Sequence, residues 1–214
     1  MSVQRISRRT FLVSTTGLVA VVRGGLLTPT PAWAAPKVGV AAPAFTALAT
    51  SGKSASLADY QGKIVVLEWT NHECPYVRKH YESSNMQALQ KEAVGQGVVW
   101  LTLISSAKGE QGHVTAAQAD ELTASRKAAP TAVLLDEPGV VGRMYGATNT
   151  PHMYVIDKAG TLVYAGAIDD RPTTRRNDVP GAQNYVREAL QLVAAGQPVK
   201  TPQTRAYGCT VKYS

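Results

Sequence analysis

The chain has 214 residues, of which 44% are hydrophobic and 17% charged, a balance that supports one ordinary core and argues against global disorder. The formal charge is +7, yet Arg5, Arg8, Arg9 and Arg23 supply much of it, and no basic stripe interleaved with aromatics follows, which argues against nucleic acid as a partner. Only 2 cysteines occur, Cys74 and Cys209; they exclude a multiply stapled scaffold and leave one disulfide, or one reactive thiol with a distant partner.

Ser7-Arg8-Arg9-Thr10-Phe11-Leu12 has the S-R-R-x-F-L form of a twin-arginine export signal. An apolar stretch from Phe11 to Val22 follows, too short to cross a bilayer core of ~30 Å as a helix. Arg23 interrupts it, and Ala32-Trp33-Ala34 offers an A-x-A cleavage site. Residues 1–34 are therefore expected to be a signal peptide. Residues 35–214 are expected to be one domain with a cysteine-bearing C-terminal tail, periplasmic and without stable membrane insertion after cleavage. That compartment is oxidising.

After an Ala/Pro-rich lead-in over 35–44, a strand is expected around Phe45–Leu48. Turns follow at Ser51-Gly52-Lys53 and Gln61-Gly62-Lys63. Ile64–Trp69 reads as a strand buried on both faces. Pro75 opens a helix, since a proline at the first helical position removes an N–H that has no partner there. Val77, Tyr81, Leu89 and Val94 give that helix an apolar face, and Gly95 and Gly97 end it. A strand over Val98–Ile104, a helix over Thr115–Lys127, a strand over Val133–Leu135 and a short helix over Gly139–Tyr145 come next. Met153–Ile156 and Leu162–Ala167 flank Asp157-Lys158-Ala159-Gly160 as a hairpin. A last helix spans Asn184–Ala195, and a Pro/Thr/Gln-rich tail leads to Cys209. This order predicts an α/β fold, a central mixed β-sheet flanked by helices on both faces.

The chemistry concentrates at Glu68-Trp69-Thr70-Asn71-His72-Glu73-Cys74-Pro75-Tyr76, where a buried strand gives way to a helix. A cysteine there meets the unpaired N–H groups and partial positive charge of the helix terminus. Both favour thiolate over thiol, and thiolate is the form that attacks disulfides and peroxides.

Three features together resemble the thioredoxin-like superfamily, in its redoxin branch, the alkyl hydroperoxide reductase and thiol-specific antioxidant (peroxiredoxin-like) group. An apolar strand ending in Glu68-Trp69 precedes the cysteine. Cys74-Pro75-Tyr76 looks like a glutaredoxin-type turn. Asn149-Thr150-Pro151 leads into Met153-Tyr154-Val155-Ile156, as the superfamily's Thr-Pro leads into an apolar strand. The resemblance implies a thioredoxin-like fold, with Cys74 as nucleophile, Glu68 as a buried proton relay and Pro151 as a cis-proline beside the sulfur. Thr150, Trp69, Tyr76, Pro75 and His72 would line the substrate groove, although Trp69 reads equally well as core.

The departures are as informative. A Cys-x-x-Cys pair is broken in both directions, by Val77 and by Asn71. A Pro-x-x-x-Thr-x-x-Cys peroxide motif is absent, since Leu67 and Asn71 hold its Pro and Thr positions and Thr70 stands one place early. Cys209 is the remaining partner for Cys74, as a resolving thiol or in a static staple, unless it is simply unpaired. The expected partner is a thiol/disulfide protein or a hydroperoxide, with no cofactor and no metal. The alternative class is non-enzymatic: a copper or zinc carrier, in which His72 and His152 could join Cys74, or a binding module, with Cys74–Cys209 as a structural disulfide. Asp169-Asp170-Arg171 reads as a solvated loop or a cleft rim. Oligomeric state has no signature in the sequence.

Overall fold

Every residue of Val65–Trp69 is buried, and the strand lies in the interior of a seven-stranded sheet. The computed structural model describes residues 35–214; the twin-arginine motif, the apolar stretch and the cleavage site lie outside the described residues. The strands are β1 (Thr46–Ala49), β2 (Ser54–Ser56), β3 (Val65–Trp69), β4 (Val99–Ile104), β5 (Ala132–Leu135), β6 (Asn149–Thr150), β7 (His152–Ile156), β8 (Leu162–Gly166) and β9 (Cys209–Thr210). The helices are α1 (Pro75–Glu82), α2 (Asn85–Gly95), α3 (Ala116–Ser125), α4 (Val140–Tyr145) and α5 (Tyr185–Ala194).

The sheet runs β2-β1-β5-β4-β3-β7-β8. Its centre, β3, β4 and β5, is parallel. The flanks β1, β7 and β8 join antiparallel. β6 and β9 form a separate antiparallel pair. Side chains alternate along a strand, so β3 sends Val65, Leu67 and Trp69 to one face and Val66 and Glu68 to the other. The first face packs on Val141 and Tyr145 of α4, with Leu57 and Tyr60 of a 3-10 turn beside them. The second face is covered by α1, α2 and α5 through Val77, Tyr81, Leu89 and Val186, and by α3 through Ala119 against Val133. Among the described residues no helix is long and apolar enough to cross a membrane.

One expected helix is two. The stretch after Pro75 breaks at Ser83-Ser84, where Ser84 takes a left-handed φ of 61°. Serine competes with the helix backbone for hydrogen bonds, and here Ser83 Oγ donates to the His80 carbonyl at 3.3 Å. Gln87 Nε2 donates to the Tyr81 carbonyl at 2.8 Å and closes the end of α1. Helix starts follow local chemistry more closely. Thr115 and Gln118 form a capping box on α3, and Asn184 Oδ1 accepts from Arg187 N at 2.9 Å on α5. The hairpin between β7 and β8 turns where Asp157 Oδ1 accepts from the Ala159 and Thr161 amides, each at 2.9 Å.

Candidate functional site

The loop between β3 and α1 is shaped by Asn71. Its carbonyl accepts from the Cys74 amide at 3.1 Å, its Oδ1 accepts from the Glu73 amide at 2.9 Å, and its Nδ2 donates to the Gln111 carbonyl at 3.2 Å. The position that would carry the second cysteine of a Cys-x-x-Cys pair is thus a turn builder. Cys74 is the N-cap of α1 with extended backbone, and Pro75 follows at the first helical position. The Cys74 sulfur therefore sits where a helix-capping oxygen would, at the positive end of the helix.

Cys74 is fully buried. Its Sγ donates to the Thr150 carbonyl at 3.1 Å, and the Thr150–Pro151 peptide is cis. The covering segment is the C-terminal tail. β9 pairs with β6 so that Cys209 lies opposite Thr150 and Thr210 opposite Asn149. Asn149 Nδ2 donates to the Gly208 carbonyl at 2.9 Å, and the Val211 amide donates to the Thr148 carbonyl at 3.0 Å. The two thiols are unbonded and in contact. Burial, and then the neighbouring Cys74 sulfur, push the Cys209 thiol's pKa up.

Gly208 makes this approach possible. Its φ is +119°, and a Cβ there would run into the Thr150 carbonyl oxygen. Only glycine accepts both conditions. Tyr76 lies on the other side of the tail, its ring 5.8 Å from that of Tyr207.

Glu68 lies on the same sheet face as Cys74 and is fully buried. Four donors surround its carboxylate: Tyr81 Oη at 2.8 Å on Oε1, and Gln90 Nε2, Trp100 Nε1 and Thr102 Oγ1 at 3.0, 2.8 and 3.1 Å on Oε2. Burial raises its pKa, and these four bonds offset the rise in part. Cys74 is not among its partners.

Two expected neighbours of the sulfur lie elsewhere. Trp69 points to the opposite face of the sheet, where Nε1 donates to Ser105 Oγ at 3.0 Å and the ring packs 5.2 Å from Tyr154 and 5.6 Å from Tyr145. It is core and not groove, because adjacent strand residues face opposite ways and Glu68 takes the Cys74 side. His152 falls on that same far face, stacked on Tyr154 at 4.6 Å. The copper or zinc cluster of Cys74, His72 and His152 is therefore not assembled. Among the described residues no group of three or more His, Cys, Asp or Glu side chains converges on a metal position. His72 is half-buried; its carbonyl accepts from Arg126 Nη2 at 3.0 Å, and it lines a cavity of about 30 Å³ with Thr70 and Arg126, away from the sulfur's partners.

The structure adds a cluster that the sequence reading missed. Lys79 and His80 on α1 and Asp169 after β8 have side chains 0–1% exposed. The sequence places Asp169 in a solvated loop or at a cleft rim. Instead it meets Lys79 Nζ at 3.7 Å and His80 Nε2 at 3.9 Å, and Tyr207 of the tail donates to its Oδ1. A charge in the second turn of an otherwise amphipathic helix was the available signal.

Burial holds two imidazoles neutral. It lowers the pKa of His80 to about 3, with Lys79 adding to the shift, and that of His152 to about 4. Both folded values lie below the unfolded one, so each histidine contributes stability that is fully present above about pH 6.5 and is lost as pH falls toward the folded value. At pH 5 that loss is about 2 kcal/mol for each. Urea midpoints measured from pH 7 to pH 5 are expected to fall accordingly, and His152→Phe, uncharged throughout, to flatten the slope.

A parallel three-strand centre, antiparallel β7 and β8, and a cysteine at a helix start facing a cis Thr-Pro define a thioredoxin-like protein. The AhpC/TSA family model matches residues 38–165, and the chain belongs to that family. The match contains Glu68, Cys74 and Pro151 and stops short of Cys209. Among solved structures, the chain is similar to an uncharacterized conserved protein from Geobacillus kaustophilus, at 24% identity and TM-score 0.72 over 83% of this chain and 93% of that one. It is also similar to a hypothetical protein from Sinorhizobium meliloti, at 23% identity and TM-score 0.70 over 85% of this chain and 97% of that one. These likenesses are of fold. No curated protein matches the sequence.

Proposed function

We propose that this chain is an exported thiol oxidoreductase in which Cys74 attacks and Cys209 resolves. The observation that carries the reading is the contact of the two thiols at the start of α1, beside the Thr150 carbonyl. The Cys74 thiolate attacks a disulfide, forms a mixed disulfide and expels one thiolate. Cys209 gives up its proton, attacks the Cys74 sulfur, and releases the second thiolate while the Cys74–Cys209 disulfide closes. An external dithiol then restores both thiols.

Disulfide exchange fits the surroundings of the sulfur better than peroxide reduction. The hydrogen-bond partner of the Cys74 sulfur on β6 is a carbonyl, which has no proton to offer a peroxide oxygen, and among the described residues no cationic side chain is one of the sulfur's partners. Arg126 and Thr70 line a separate small cavity. Family membership keeps peroxide reduction as the second reading, with Cys74 oxidised to a sulfenic acid that Cys209 converts to a disulfide and water. Glu68 serves as the proton store of the buried face, reached through Tyr81 of α1. Residues 1–34 act as the twin-arginine signal and residues 35–214 as the periplasmic domain, where an oxidised thiol pair persists.

The reduced chain is to be mixed with insulin disulfide or with hydrogen peroxide, alkylated and mapped. A Cys74–Cys209 disulfide formed within one turnover by insulin and far more slowly by peroxide is the expected result. Thiols that stay free with both reagents would overturn the assignment, and faster oxidation by peroxide would favour the second reading.

A further inference from the structure

The tail that carries Cys209 is fastened two residues upstream, at Tyr207, and the fastening sits on the same helix that Cys74 caps. The Tyr207 hydroxyl donates to Asp169 Oδ1. It accepts from Lys79 Nζ at 3.3 Å and faces His80 Nε2 at 3.2 Å. With its own proton committed to Asp169, Tyr207 takes its remaining bonds as an acceptor, so His80 carries its proton on Nε2. Asn85 Nδ2 then serves His80 Nδ1 at 2.9 Å. Lys79 Nζ also donates to the Arg171 carbonyl at 2.7 Å and lies 5.2 Å over the Tyr207 ring. Asp169 Oδ2 is buried without a hydrogen-bond partner among the described residues.

Three ionisable side chains buried in contact are costly unless each is paired. A hydroxyl from the tail completes the set. When the tail lifts, that hydroxyl leaves Lys79, His80 and Asp169 behind, so the cluster resists lifting at the point closest to Cys209. The next residue, Gly208, passes over the Thr150 carbonyl with no room for a side chain. The tail is thus held on one side by a buried polar latch and on the other by a close backbone crossing, with Cys209 the first residue beyond both.

We propose that Tyr207 is a positioning residue for the thiol pair: docked on Lys79, His80 and Asp169, it holds Cys209 against Cys74 and at the same time covers Cys74. The proposal rests on the reading of Cys74 and Cys209 as a redox pair. Two thiols held together form a disulfide with a high effective concentration. Loosening the latch lets the dithiol form gain open-tail states that the disulfide form lacks, so disulfide formation becomes less favourable. The same loosening uncovers the Cys74 sulfur to outside reagents. A merely structural tyrosine would not move these two quantities in opposite senses.

The test equilibrates the purified chain with reduced and oxidised glutathione. Each Cys74–Cys209 disulfide formed consumes one glutathione disulfide and releases two glutathiones. Tyr207→Phe is expected to lower the equilibrium constant for disulfide formation about tenfold, a shift of about 30 mV for a two-electron couple. In a Cys209→Ser background the same change is expected to speed iodoacetamide labelling of Cys74 about tenfold. The double variant Lys79→Met/Asp169→Leu, which removes the charges the Tyr207 hydroxyl docks on and fills their space with apolar side chains, is expected to move both quantities the same way and decides the matter if Tyr207→Phe does not fold. A folded variant with unchanged potential and unchanged labelling overturns the latch. So does weaker disulfide formation with no gain in labelling. If the wild-type chain forms no Cys74–Cys209 disulfide at any glutathione ratio, the redox-pair reading itself fails and takes the latch with it.

Discussion

Cys74→Ser is expected to abolish the proposed disulfide reduction, by at least about a thousandfold, because a serine hydroxyl is scarcely ionised at neutral pH and is a poor nucleophile toward sulfur. The substitution is nearly isosteric, and its Oγ can donate to the Thr150 carbonyl as Sγ does at 3.1 Å, so the fold is expected to survive. Cys209→Ser gives a different picture. The first attack on a disulfide proceeds, but no thiol closes on the mixed disulfide, and the substrate stays attached to Cys74. Mass spectrometry of the two variants after one addition of a disulfide substrate separates the roles. Cys74→Ser shows no adduct, and Cys209→Ser shows one adduct of the mass of the half-substrate. The reverse pattern would exchange the roles of the two cysteines. The place of Cys74 at the start of α1, with Cys209 on a strand of the tail, argues against that reversal.

Glu68→Ala is expected to cost about 4 kcal/mol or more of stability. The carboxylate is the common acceptor for Tyr81, Gln90, Trp100 and Thr102, and each buried donor left unpaired costs about 1–3 kcal/mol. Glu68→Gln tells a proton store from a structural acceptor. Its amide oxygen can accept from Gln90, Trp100 and Thr102 where Oε2 does, and its amide nitrogen can donate to the Tyr81 oxygen, so only the Tyr81 proton loses its acceptor. The pH dependence follows from the direction of the shift. Burial raises the folded pKa of Glu68 above its ordinary value of 4.5, so the folded state keeps the proton longer than the unfolded one. The wild type therefore loses stability as pH rises from 4.5 toward the folded value, and the glutamine variant does not. Urea midpoints of the two, compared between pH 4 and pH 8, are expected to diverge in favour of glutamine as pH rises. If Glu68 stores a proton for the thiols, the pH profile of disulfide reduction also shifts in Glu68→Gln. If the profile is unchanged, Glu68 is structural.

The location of the candidate site is legible in the sequence. The buried strand, the helix-opening Cys74-Pro75 and the Thr150-Pro151 turn are each local signals, and the structure brings them to one point. Trp69 shows where local reading fails. It is adjacent to Glu68, and only the pairing of β3 with β4 and β7 decides which of two neighbours faces the helices. His152 fails for the same reason, being opposite Trp69 in the β3–β7 register. Ser83-Ser84 gives no stop signal in the sequence, because a polar pair inside a helical pattern breaks the helix only when other contacts, here Gln87 on the Tyr81 carbonyl, complete the new ends.

Sequence alone determined the order of the central strands, the starts of α1, α3 and α5 and the placing of one cysteine before a proline, because these depend on side-chain periodicity and on hydrogen bonds between near neighbours. Tertiary structure alone decided that a cysteine far along the chain returns to the first, that a tyrosine two residues before it fastens the return, and that an aspartate read as exposed is buried beneath it. Those facts depend on which strand edge a tail meets and which charges end up sealed together. Both are settled by packing across the whole fold, where sequence distance carries no weight.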